Sequence, residues 1–167
     1  TVPVEQLPWV SNPEAGYIVA ANQAVTGEGG VQITSDWDYG YRSTRIREVL
    51  ETEGEMSVSE MAELQLDTRH PFAPTLVPFL LDVELPDGYY SDGQELLARW
   101  DFTQPPESAA AAYYNVVWRN LLEVAFHDDL PDEAWPDGGS RWMAAVGGLL
   151  REPDLGKEVV GRPRAGV

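Results

Sequence analysis

The chain has 167 residues, 43% hydrophobic and 23% charged, a composition and length suited to about one globular domain. Eleven basic residues against 28 acidic ones leave a formal charge of −17, a field that repels phosphate and argues against nucleic acid or a purely electrostatic hold on anionic lipid. No run approaches the roughly 18 apolar residues of a membrane span, no Lys/Arg-flanked apolar stretch opens the chain, and the absence of cysteine removes disulfides, thiolate metal sites and a cysteine nucleophile.

Residues 1–16 carry three prolines and little periodicity, which predicts an irregular, extended lead-in. Gly16-Tyr17-Ile18-Val19-Ala20-Ala21 is a β-prone apolar run and predicts a short buried strand, ended by Asn22 and followed by a glycine-rich loop around Gly27, Gly29 and Gly30. From about Asp38 the pattern turns helical. Ile46, Val49 and Leu50 share one face, Arg42 joins it by i+4 spacing, and Gly54 closes the helix. Ser57-Val58-Ser59-Glu60 has the form of a capping box and opens a helix through Val58, Met61, Leu64 and Gln65, expected to end near Arg69-His70-Pro71.

Phe72 to Val83 predicts a helix bent by Pro74 and Pro78. Pro86-Asp87-Gly88 is a turn, and Leu96, Leu97 and Trp100 suggest a helix ending before Pro105-Pro106. The strongest helical pattern runs from Ser108 to His127, with Val117, Leu121, Leu122 and Val124 as its apolar positions. After a turn at Pro136 to Gly139, Arg141 to Leu150 makes a last helix, and the polar, Gly/Pro-bearing stretch beyond predicts a loose tail. The expected architecture is mainly α: an extended N-terminal segment with one short strand, then about six helices. In segments, that is 1–37, a helical domain 38–151 and a tail 152–167.

Asn22, at the end of the predicted strand, can donate hydrogen bonds into a pocket as an oxyanion hole requires, or serve only as a turn residue. Residues 1–41 contain no Lys or Arg, after which Arg42, Arg45 and Arg47 arrive together. An Arg42 guanidinium on an apolar stripe must find a partner: Asp36, Asp38, or a substrate carboxylate held bidentately. Arg45 and Arg47 read as solvated flanks. His127-Asp128-Asp129 and Asp36-Trp37-Asp38 lack the spacing of metal sites and read as acidic surface. No Gly-x-Ser-x-Gly elbow supports a serine triad, and Thr1 has no accompanying sign of an N-terminal nucleophile.

Three stretches together resemble the penicillin acylase (penicillin amidase) family of N-terminal nucleophile hydrolases. They are Asn12-Pro13 through Gly16-Tyr17-Ile18-Val19-Ala20-Ala21-Asn22, then Tyr41-Arg42-Ser43-Thr44-Arg45-Ile46, then Ser59-Glu60-Met61 through Leu64-Gln65-Leu66-Asp67. Ala73, Leu76, Pro78 and Leu97-x-x-Trp100-Asp101 extend the match, whereas residues 102–167 resemble the family only as a helical continuation. The resemblance implies an internal piece of the β subunit, the helical part of a larger αββα fold. It further implies hydrolysis of a linear amide by a serine at the head of that subunit, a serine this sequence does not contain, so that the chain alone is inactive.

The resemblance carries Asn22 onto the oxyanion-hole asparagine and Arg42 onto an arginine near the acyl pocket that places substrate or supports the site. Expected partners are a small-molecule acyl amide, the remainder of the β subunit and the α subunit. The resemblance points to an extracytoplasmic location. No cofactor is expected in this chain; the family allows calcium near the subunit junction, but no acid here matches it. The competing expectation is a non-catalytic acidic helical module that binds a basic partner.

Overall fold

The structure is a computed structural model in which residues 2–27 and 29–152 are described. Thr1 and, beyond Glu152, the expected tail lie outside the described residues. Six helices follow in chain order: α1 (Tyr41–Glu53), α2 (Val58–Gln65), α3 (Ala73–Leu81), α4 (Tyr89–Ala98), α5 (Ala109–Phe126) and α6 (Ser140–Arg151), with short 3-10 turns at Val4–Gln6 and Asp132–Ala134. None is long and apolar enough to cross a membrane.

Local chemistry explains most of the helix ends. The Ser57 hydroxyl accepts from the Glu60 N–H at 3.3 Å, and the Glu60 carboxylate accepts from the Ser57 N–H at 2.6 Å. These bonds hold the Glu60 carboxyl below its usual range. α2 stops at Gln65, short of the expected Arg69-His70-Pro71. The cause is Asp67, whose carboxylate takes the Arg69 N–H at 2.7 Å and so offers the backbone an alternative to the helix. Pro74 sits in the first turn of α3, where its missing N–H is harmless, while Pro78 lies inside and removes one helical bond.

The predicted strand does not form. Among the described residues no sheet is present, and the only strand-like pairing is an isolated parallel bridge between Gln23 and Asp38. A strand needs an extended neighbour to take its backbone groups, and among the described residues none pairs with Tyr17 to Ala21. The two-residue alternation persists even so. Tyr17, Val19 and Ala21 are sheltered, whereas Ile18 (63% exposed), Ala20 and Asn22 face outward.

The chain divides into two compact units, Thr1–Pro71 and Phe72–Val167. Within the second, α4 packs against α3 and α5. α5 turns Ala111, Tyr114, Trp118 and Leu122 inward at spacings of three and four residues. This stripe keeps only Leu122 of the expected positions: Val124 is 84% exposed, and Tyr114 and Trp118 take the inner positions because their rings cover more area. Phe72 meets Trp118 at 5.4 Å between ring centroids and Trp100 meets Tyr114 at 5.1 Å, so an aromatic cluster joins the chain before α3, the chain after α4, and α5. Leu76 and Leu97 complete this core; each such side chain contributes about 1.5–3 kcal/mol by leaving water. The first unit is built differently. Its only buried apolar side chain among the described residues is Ala21.

Candidate functional site

Asn22 adopts a left-handed backbone conformation, φ 62°, which asparagine tolerates at small cost. Gln23 fixes the approach to it. Its side-chain oxygen accepts from the Ala21 N–H at 2.7 Å, and its amide nitrogen donates to the Val19 carbonyl at 2.8 Å. The Asn22 carbonyl in turn accepts from the Asp38 N–H at 2.7 Å, which ties the turn to the chain entering α1.

That entry is organised around Asp38 and Gly40. The Asp38 carboxylate accepts from the Gly40 N–H at 2.9 Å through Oδ1, and Gly40 takes φ 90°, a conformation that favours glycine. Arg42 follows in the first turn of α1. A cation there opposes the helix macrodipole, and no acid within that turn offsets it. Helix stability therefore does not account for Arg42. Its Nε donates to Asp38 Oδ2 at 3.3 Å, and its Nη2 donates to Asn22 Oδ1 at 3.1 Å. The structure thus brings Asn22 and Arg42 together across twenty residues of sequence and selects Asp38 over Asp36 as the ion-pair partner. Arg42 does not point into a core. Its side chain is 57% exposed against 11% for Asp38, because the acid that receives it lies at the surface beside the helix start.

A second contact aligns the segment with the helix. Tyr17 donates to Glu51 at 3.0 Å, and burial together with this carboxylate raises the tyrosine's pKa. Tyr17 thus meets the last turns of α1 while Asn22 meets its first turn. The segment therefore runs antiparallel along α1, held near both ends, and delivers Asn22 to the helix N-terminus.

The chemical result follows from which amide atom is engaged. Oδ1 is held by Arg42, and among the described residues Nδ2 has no acceptor. Two amide N–H donors, with a guanidinium behind them, are offered to whatever approaches. Such a pair suits an oxygen that carries or develops negative charge.

The other candidates resolve differently. Arg45, expected on a solvated flank, is only 33% exposed and pairs with Asp67 at 2.6 Å, tying α1 to the end of α2. That contact spans 22 residues and has no local signal in the sequence. Arg47 is exposed, as expected. His70 is buried, with 6% of its surface exposed, and desolvation lowers its pKa to about 4. His127 stacks on Trp135 with ring centroids 4.1 Å apart. Among the described residues no three His, Asp or Glu side chains converge as a cation site.

A family model described as penicillin amidase matches residues 1–164. The chain belongs to the penicillin amidase family. An acyl-homoserine lactone acylase, QuiP, from Pseudomonas putida is 32% identical over 155 residues, 84% of this chain and 18% of that protein. Penicillin acylase 2 proenzyme from a Pseudomonas species (strain SE83) is 29% identical over 169 residues, covering 93% of this chain and 22% of its own length. QuiP from Pseudomonas syringae pv. tomato is 27% identical over 154 residues. The chain spans about a fifth of the length of these curated penicillin amidase relatives.

Proposed function

We propose that this chain is an internal piece of the β subunit of an enzyme that hydrolyses a linear amide, supplying the oxyanion donor but not the nucleophile. The substrate class is an acyl amide: the side chain of a penicillin, an acyl-homoserine lactone or a lipopeptide. In this reading a serine outside the sequence, at the head of the subunit, attacks the amide carbon with its own α-amine as base. The carbonyl oxygen gains charge as the C–O bond forms, and Asn22 Nδ2 donates to it. The C–N bond then breaks and the amine leaves with a proton. Water hydrolyses the acyl-enzyme to the carboxylic acid and regenerates the hydroxyl. The rest of the β subunit and the α subunit complete the site, and the chain alone turns nothing over.

The observation that carries this reading is the Arg42–Asn22 hydrogen bond. It fixes the carboxamide with its oxygen inward to the guanidinium and its donors outward. The test is Asn22→Ala in the full-length protein, assayed on the p-nitroanilides of phenylacetic and decanoic acid and on N-decanoyl-homoserine lactone. Loss of one oxyanion donor should lower kcat by about 10²–10³-fold with processing and folding intact. Turnover close to that of the unaltered protein would remove Asn22 from the site.

A further inference from the structure

We propose that Asp38 is a positioning residue, acting through Arg42 to orient the Asn22 carboxamide; this rests on the oxyanion reading of Asn22. Asp38 makes three separate links, and each constrains a different part of the site. Its backbone N–H holds the Asn22 carbonyl at 2.7 Å, which sets the position of the turn. Its Oδ1 accepts from the Gly40 N–H at 2.9 Å, which sets where α1 begins and hence where Arg42 stands. Its Oδ2 accepts from Arg42 Nε at 3.3 Å, which fixes the plane of the guanidinium whose Nη2 reaches Asn22 Oδ1.

A primary carboxamide can rotate by half a turn and exchange its oxygen for its nitrogen at little steric cost. Only the arrangement with oxygen toward Arg42 offers donors to a developing oxyanion. An arginine without its carboxylate has several rotamers and would present Nη2 to Asn22 only part of the time. Asp38 is the better held of the pair, with 11% of its side chain exposed against 57% for Arg42, so orientation passes from the carboxylate to the guanidinium and then to the amide. The Arg42 end of the pair is open to water, which screens the attraction and leaves it little weight as a stability device.

The experiment uses the full-length protein and the three amide probes named above. Asp38→Asn keeps an oxygen for the Gly40 N–H but turns an NH2 group, a donor, toward the Arg42 donor. It should lower kcat by about 10- to 100-fold, with KM and the unfolding midpoint nearly unchanged. Asp38→Glu, which restores a carboxylate one methylene longer, should recover part of the loss. In an Asn22→Ala background Asp38→Asn should have no further effect, because the group it orients is gone. An Asp38→Asn enzyme with unaltered kcat overturns the proposal, and so does a loss of the same size in both backgrounds. A fall in activity that tracks a fall in the unfolding midpoint also overturns it. Should Asp38→Asn fail to accumulate, Asp38→Ser, which still offers an oxygen to Gly40, takes its place under the same criteria. If Asn22→Ala itself retains full turnover, the oxyanion reading fails, a result distinct from failure of the Asp38 proposal alone.

Discussion

Replacing Arg42 by methionine separates what this side chain does for the fold from what it does for the reaction. Methionine keeps the unbranched stem and nearly the same helix propensity. Losing an exposed ion pair costs about 0–1 kcal/mol, and removing a cation from the first turn of α1 returns a few tenths. The Asp38 carboxylate keeps its bond from the Gly40 N–H, so it is not stranded. The net change in stability should lie within about 1 kcal/mol.

The effect on turnover should be larger. Arg42 Nη2 lies 3.1 Å from Asn22 Oδ1, and an oxyanion bonded to Nδ2 of the same amide would sit about 7 Å from the guanidinium charge. At an effective dielectric of about 20 that attraction is roughly 2 kcal/mol, or about 30-fold in rate. Freeing the amide to rotate adds to the loss. Steady-state kinetics of Arg42→Met on the amide probes, run beside thermal unfolding, measure both quantities. A kcat within twofold of the unaltered enzyme refutes the reasoning. So does a large kcat loss matched by a loss of stability, which would make Arg42 a structural residue.

Two further outcomes test a buried histidine of the first unit and the packing of the second. His70 has a folded pKa of about 4 against an ordinary value of 6.5, so the unfolded chain binds the additional proton between those values. Stability should therefore be level above about pH 6.5 and fall by up to ~3 kcal/mol as pH drops to 4, and His70→Leu should flatten that part of a pH-dependent denaturation series. In α4, a Cβ on Gly93 would collide with the Tyr113 ring of α5, so Gly93→Ala should destabilise by about 1–2 kcal/mol. In a Tyr113→Ala background the same change should instead stabilise by up to about 1 kcal/mol, the helix-propensity gain; chemical denaturation of the four proteins reads the reversal.

The helices were legible because their signals are local. A capping box, a glycine at a helix end and a three-to-four-residue periodicity all lie within one or two turns of the element they define, as Ser57 with Glu60 and Gly54 illustrate. The strand is not legible because pairing is non-local: the residues of Tyr17 to Ala21 have the right side chains and the right alternation, but among the described residues no extended run pairs with their backbone. α5 shows a subtler failure. Hydrophobicity alone ranked Val124 with the core, whereas the helix rotates its largest rings inward and leaves that valine in water.

The site was legible in its parts and not in its connections. Asn22 and Arg42 stand out by their positions in the sequence, the resemblance supplies their expected roles, and charge points to Asp36 or Asp38 beside Arg42. Only the folded chain shows that one arginine joins Asn22 to Asp38, and that Asp38 governs the turn, the helix start and the guanidinium together. Arg45 with Asp67 was missed for the same reason, since 22 intervening residues leave nothing in a local window to link them.

The exposure of Asn22 bears directly on how this geometry would work. In bulk water an amide N–H exchanges an anionic acceptor for water at little net gain, and a charge at about 7 Å is worth only ~0.6 kcal/mol. The same groups gain several-fold when water is excluded, so the proposed role requires a cover over the face that Ile18, Ala20 and Asn22 present. The first unit has the form of a surface that receives one. It leaves Ile18 outward, buries Ala21 alone among its described apolar side chains, and fixes its polar contacts instead through Gln23, Asp38 and Tyr17. Such a segment is ordered by directional bonds before it is dried by packing. For the proposed reaction that order is useful: the amide and guanidinium already have their orientation when a covering surface arrives, so closing the site strengthens donors that need no rearrangement.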